Sequence, residues 1–275
     1  MKKLLYLESG DRRAGIFSYV MQVISMAKVC EDENIPMYID FSKDMAYYKN
    51  GQTTDNVWDY FFKQPYNITN LDEYEKNYAV WYQDNRPLQL PFRYEKDSEF
   101  LKQARSYCKK YILIRPELKA VGDSFIKNFI DCKYLAVHKR GTDHENAQYF
   151  TIDNYFTETD KYVDKYEKLL VCSDEQYSVD AFKSRYGKRV VSYESVREMD
   201  QNANHLGPHG FRKGLHNCYN SNQIYENGRD CVIEAYLLSQ ANFLLKTLSN
   251  VSHFAVMSNE DIDFEWIDRN YKTFY

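Results

Sequence analysis

No stretch of the chain approaches the roughly 20 consecutive apolar residues that span a bilayer, so no integral membrane segment is expected. The opening run Met1–Leu7 turns polar at Glu8, too short for the core of an export signal. A basic excess is also missing. The formal net charge is −4, which argues against general nucleic-acid binding. The six cysteines are scattered, with no C-x-x-C pair. That pattern reads as reduced, buried thiols rather than a disulfide framework, and with the missing export signal it places the chain in the cytoplasm. There is no internal repeat and no low-complexity segment. What remains is a chain of 275 residues, 44% hydrophobic, enough for a substantial core in one large domain or two smaller ones. Tyrosine is abundant at 26 residues, and each offers a flat apolar face with a hydroxyl that suits sugar or base contacts.

The order of apolar runs sets the fold class. Lys3–Leu7 reads as a strand, and Ile16, Phe17, Val20, Val23, Ile24 and Ala27 then recur at helical spacing. Gly15 opens that helix, whose N-terminus favours an anion. Met37–Asp40 completes a βαβ unit. Asp55–Phe62 reads as a short, core-directed aromatic helix, 78–82 as a strand, and 98–107 and 117–129 as helices. From Tyr134 the alternation becomes regular. Strands are expected at 134–138, 168–172, 189–192 and 243–246, and helices near 152–166, 180–186, 230–240 and 251–257. Residues 197–215 form a loop too long to be only a connector. The pattern implies an α/β protein with parallel sheets in two halves, 1–125 and 126–275.

The most informative stretch is Leu135–Glu145. A buried strand ends abruptly in His138, Lys139, Arg140, Gly141, Thr142, Asp143, His144 and Glu145. In open α/β sheets, ligands bind outside the carboxyl ends of strands. Strand alternation sends His138 and Arg140 to one face and Lys139 to the other, and Gly141 lets the backbone turn. An ordinary charged surface loop fits the same residues.

Together these segments resemble the GDP-fucose-dependent fucosyltransferases, most nearly the alpha-1,6 type. His138–Asp143 is similar to that group's H-x-R-R-T-D block, with Gly141 in place of the second arginine. Val171–Glu175 is similar to a strand ending in T-D-D. Glu234, Leu238–Phe243 and Thr247–Ser249 follow its D-x-x-x-L-S-Q-A-D-F and T-x-S-S patterns, and Gly214–Asn217 matches a short segment upstream. The likeness covers mainly 134–257. It implies a GT-B fold, two Rossmann-like domains facing a cleft. The C-terminal domain would hold GDP-fucose, and the N-terminal domain would carry the acceptor face. Without the stem and anchor of the animal enzymes, the chain resembles a bacterial or viral-type enzyme acting on a glycan or glycolipid acceptor.

The resemblance also implies roles. Breaking a sugar–phosphate bond places negative charge on the leaving diphosphate, so cations and N–H donors belong there. Arg140 is the expected diphosphate residue, because its guanidinium stays charged and matches phosphate oxygens in a fork. Thr247, Ser249 and Asn250 would add donors, although such residues also cap helices. Glu234 would accept from guanine, or else be a satisfied helix carboxylate. His138 would touch base or phosphate. Asp174 would hold the ribose side or cap the following helix. Inverting transfer needs a base, for which Glu145 and Asp143 are the nearest carboxylates. No cofactor or metal is expected. Asp261-Ile262-Asp263 is a D-x-D in the wrong place, and His205, His209 and His216 lack ligand spacing. The alternatives are transfer from another GDP-sugar, and a non-catalytic nucleotide- or glycan-binding module.

Overall fold

The computed structural model describes residues 1–9, 14–42, 47, 49, 54–80, 87–91, 93–141, 151–195, 197 and 221–267. The chain opens with β1 (Lys2–Glu8), α1 (Ile16–Glu33) and β2 (Met37–Asp40). β1 and β2 pair in parallel, with Leu5 opposite Met37 and Leu7 opposite Ile39. α1 is the crossover such a pair requires. Its apolar positions Ile16, Phe17, Val20, Val23, Ile24 and Ala27 are buried. The helix stops at Asn34, which takes the left-handed conformation (φ 50°) and donates its N–H to the Cys30 carbonyl. After α2 (Trp58–Phe61) and β3 (Phe62–Lys63), β4 (Tyr74–Val80) joins the far side of β1. The order of this parallel sheet is β2-β1-β4. The outer edge of β2 is not left bare. The Asn56 and Gln64 amides bond the backbone at Ile39 and Phe41, satisfying groups that would otherwise recruit another strand.

The connecting region holds α3 (Glu99–Tyr111), β5 (Leu113–Ile114) and α4 (Pro116–Phe125). Ser98 caps α3 by accepting from the Leu101 N–H, and Pro116 opens α4. The second half runs β6 (Tyr134–Lys139), α5 (Ile152–Asp160), β7 (Lys168–Ser173), α6 (Gln176–Tyr186), β8 (Val190–Val191), α7 (Ser221–Ser239), β9 (Phe243–Lys246), α8 (Asn250–Ser258) and β10 (Asp263–Trp266). Its strands form one sheet in the order β10-β9-β6-β7-β8, all parallel. β6 is buried along its whole length, as a central parallel strand covered on both faces must be. The chain builds outward from β6 through β7 to β8, then returns to lay β9 on the other side of β6. That reversal makes the β6/β9 junction the switch point where ligands of such sheets bind.

One face of the large sheet (Ala136, Leu170, Cys172, Leu244) joins α7, α8 and the N-terminal half in a single apolar cluster. Phe17 of α1 and Phe254 of α8 meet there at 5.1 Å between ring centres. The opposite face (Leu135, Val137, Leu169, Val171, Leu245) packs on Tyr155, Val179 and Phe182. Trp58, Phe61 and Phe62 are fully buried, so the aromatic segment is core as expected.

The structure corrects several boundaries. β4 starts at Tyr74 rather than 78. Its polar side chains lie on a half-open sheet and carry no apolar signal. α7 starts at Ser221 rather than 230. Gly228 within it packs so close that a Cβ would lie 2.6 Å from Tyr47. β10 was not expected at all. Asp263 of the D-x-D opens it and pairs with Lys96. The 197–215 loop, apart from Arg197, lies outside the described residues, as do Gly214–Asn217.

Candidate functional site

The carboxyl end of β6 behaves as alternation requires. Lys139 points to the α5/α6 side and is sealed there. Its Nζ lies 2.6 Å from Glu175 Oε2, with side-chain exposures of 4% and 2%. The rings of Tyr155 and Tyr177 lie within 5.7 Å and 5.4 Å of that amine. Arg140, on the other face, keeps 27% exposure while its Nη1 contacts Asp174 Oδ2 at 2.8 Å. Asp174 also accepts from the Gly141 N–H at 2.9 Å. It therefore fixes both the guanidinium and the turn behind it. It does not cap α6, whose N-cap is Glu175. The need for glycine at 141 is spatial rather than a turn requirement. A Cβ there would lie 2.1 Å from the Glu175 carboxyl.

His138, between these charges, is 6% exposed. Burial, followed by the positive charges of Arg140, Lys246 and Lys139, pushes its pKa down to about 3 against the pull of Asp174. The imidazole is neutral at physiological pH. Its Nδ1 is enclosed, with no hydrogen-bond partner among the described residues.

Beside β6, β9 leads into the second part of the site. Thr247 accepts from the Tyr155 hydroxyl at 3.4 Å, and Ser252 Oγ donates to the carbonyls of Thr247 and Ser249. Ser249 is the N-cap of α8 in extended conformation, without a side-chain cap bond. The first N–H groups of α8 thus keep their capacity for an outside acceptor. Asn250 Nδ2 donates to Ser18 Oγ of α1 at 3.1 Å, which brings the first turns of the two helices together. Gly15 is the N-cap of α1, also without a side-chain cap. Its surroundings make no steric demand for glycine, since the nearest atom to an added Cβ is 3.9 Å away. The Ile16 N–H donates to the Tyr47 hydroxyl at 3.0 Å.

The third part is Glu234 on α7. Its Oε1 accepts from Ser195 Oγ at 2.8 Å and Arg197 Nη2 at 3.2 Å. Burial pushes its pKa up to about 7, against the lowering effects of Arg197 and Ser195, with Asp230 and Asp174 adding to the rise. Sequence reasoning missed Arg197. A single arginine in an irregular segment between β8 and α7 has no spacing to flag it.

So the structure brings Arg140, His138, Asp174, Thr247, Ser249 and Asn250 to adjacent strand ends. Gly15 lies across from α8, and Glu234 lies on the neighbouring helix. Asp143 and Glu145 lie outside the described residues, as do His205, His209 and His216. Among the described residues no group of three or more His, Cys, Asp or Glu side chains could hold a metal ion. No helix among them is long and apolar enough to cross a membrane. The arrangement can do three things. It offers a cation and N–H donors to a polyanion, presents a neutral imidazole beside them, and holds a buried carboxylate on the neighbouring helix α7.

No protein-family profile matches the chain, and no curated protein matches it. Solved structures do. NodZ alpha-1,6-fucosyltransferase co-crystallised with GDP aligns with a TM-score of 0.58 at 14% identity, over 93% of this chain and 92% of that one. NodZ from Bradyrhizobium gives 0.59 at 14% identity, over 93% and 91%. Arabidopsis thaliana FUT1 in complex with GDP gives 0.55 at 11% identity, over 99% and 72%. POFUT1 in complex with GDP gives 0.51 at 9% identity, over 96% and 98%. The chain has the GT-B architecture of these fucosyltransferases, with its switch-point residues at the carboxyl ends of β6 and β9.

Proposed function

We propose that the chain is a metal-independent, inverting glycosyltransferase of the cytoplasm that moves L-fucose from GDP-fucose to a hydroxyl of a glycan or glycolipid acceptor. The observation that carries this reading is Arg140. It stands at the carboxyl end of β6, about a quarter exposed and paired with Asp174 at the end of the neighbouring β7, while β9 on the other side of β6 leads into α8, whose N-cap side chain makes no capping bond. A leaving diphosphate gains negative charge as the sugar–phosphate bond breaks, and a pre-positioned guanidinium stabilises that charge more than the ground state. The α8 N–H groups and the Thr247, Ser249 and Asn250 side chains add donors, and Gly15 leaves space at the α1 N-terminus. His138 contributes a neutral N–H without adding charge. Glu234 accepts from the guanine N–H groups. Glu145 takes the acceptor proton, with Asp143 as the neighbouring carboxylate. The N-terminal half, to about residue 125, supplies the acceptor face.

Calorimetric titration with GDP, GDP-fucose and UDP, with and without EDTA, tests the donor site. Selective, EDTA-insensitive binding of the two guanine nucleotides is expected. Indifference to the base, or a need for divalent metal, overturns the reading. Competition between GDP-fucose and GDP-mannose then fixes the sugar, and donor hydrolysis separates an enzyme from a binding module.

A further inference from the structure

Arg197 is 6% exposed on its side chain and is unusually well engaged. Its Nε donates to the Ser173 carbonyl at 3.1 Å. Its two terminal nitrogens donate to the Ser195 carbonyl at 3.5 Å, Ser192 Oγ at 2.9 Å, the Tyr193 carbonyl and Glu234 Oε1 at 3.2 Å. One planar fork thus ties the end of β7 and the segment after β8 to α7. Both internal contacts of Glu234 fall on Oε1.

We propose that Arg197 is a positioning residue for base recognition: it orients the Glu234 carboxylate and keeps it in its acceptor form, with Oε2 turned to the ligand. The proposal rests on the reading of this site as a guanine nucleotide site. Guanine offers adjacent N–H donors, which an ionised carboxylate accepts and a protonated acid opposes. The surroundings of Glu234 otherwise work against ionisation. Asp230 lies on its own helix, Asp174 at the end of β7, and the Cys172 and Cys231 thiols and the Tyr193 hydroxyl are near. Arg229 is engaged with Asp230 at 2.8 Å. Arg197 is the cation whose charge lowers the Glu234 pKa.

GDP and ADP affinities from about pH 5.5 to about pH 9 in wild type, Arg197→Gln, Arg197→Lys and Glu234→Gln test the proposal. In wild type, GDP binding should strengthen as pH rises through about 7, following Glu234. In Arg197→Gln the midpoint should move up by about one unit, with about fivefold weaker GDP binding at neutral pH that partly recovers in base. ADP binding should change little, so the preference for GDP shrinks. Arg197→Lys keeps the charge without the fork and should fall between. Glu234→Gln should bind GDP weakly and without this pH dependence, and adding Arg197→Gln should cost nothing further. A uniform loss at every pH, with the midpoint unmoved in both Arg197 variants, would show that Arg197 only braces the segment and would overturn the proposal. Failure of the wild type to bind GDP is a different result: it sinks the nucleotide reading, and the base-recognition role with it.

Discussion

Two ion pairs one residue apart at the carboxyl end of β6 have opposite characters. Lys139–Glu175 is closed off between Tyr155 and Tyr177. Arg140–Asp174 leaves its guanidinium about a quarter exposed. Strand alternation separates them: one faces α5 and α6 behind the sheet and the other the opposite side, at the strand ends. The sealed pair is construction. It uses a lysine, a compact charge that the two rings and one carboxylate can enclose. The open pair uses an arginine, whose fork can hold Asp174 and still face an anion. The charge assigned to the proposed donor site is the reachable one, and the other is shut in.

The largest expected effect comes from breaking the sealed pair. Lys139→Met leaves the Glu175 carboxylate buried without its cation, a loss of about 3–5 kcal/mol. Gly141→Ala drives a methyl into the same carboxylate and should cost about 1–3 kcal/mol or more. Urea unfolding measures both, and a loss under about 1 kcal/mol for Lys139→Met would mean the pair is incidental. Arg140→Ala should behave in the opposite way. It should reduce turnover by about a hundredfold or more, the usual cost of deleting a transition-state charge donor. Its cost in stability should stay near about 1 kcal/mol, because Asp174 retains the Gly141 N–H. If Arg140→Ala destabilises as much as Lys139→Met and leaves kcat alone, the contrast between the two faces collapses.

Glu234 sharpens the contrast by lying between the two types, buried yet only partly satisfied. Its pKa is raised in the folded state, from 4.5 to about 7. The native state therefore holds a proton that the unfolded chain releases between those values. The sign follows: native stability attributable to Glu234 falls as pH rises through that window, then levels off above about 7. The fall should amount to about 1–3 kcal/mol. Glu234→Gln should lack it, so the gap between variant and wild type should widen in favour of the variant from about pH 5 to about pH 8. Parallel stability–pH curves for the two proteins would rule this out.

Much of this contrast was legible before the fold was known. The apolar run 134–137 broken by charges marks β6, and alternation alone assigns Lys139 and Arg140 to different faces. Other features were not legible because they depend on contacts between strands. Glu175 fills the space beside Gly141 from the N-cap of α6, just past the neighbouring β7, and no spacing along the chain announces that. The glycine was legible as a departure from a motif, and its cause was not. Arg197 gathers acceptors from three elements but sits in a segment without periodicity. β4 and β10 carry Lys, Asn, Asp and Glu at exposed or half-buried positions, so local composition hides them, and only pairing with β1 and β9 makes them strands.

The smallest expected effect tests the contact between α1 and α8 beside the proposed donor site. Asn250 on α8 donates to Ser18 on α1 at 3.1 Å. A neutral, partly buried bond of this kind contributes about 0.5–1.5 kcal/mol. Asn250→Ala and Ser18→Ala should each lower stability by that amount and raise the KM for donor by about 2- to 12-fold on the same energy scale, with kcat nearly unchanged. Because the two side chains act through one bond, the double variant should be little worse than either single one. If Ser18→Ala leaves KM untouched while Asn250→Ala raises it, the amide touches the nucleotide directly. Asn250 would then belong with the open, ligand-facing groups, and the bridge to α1 would be incidental.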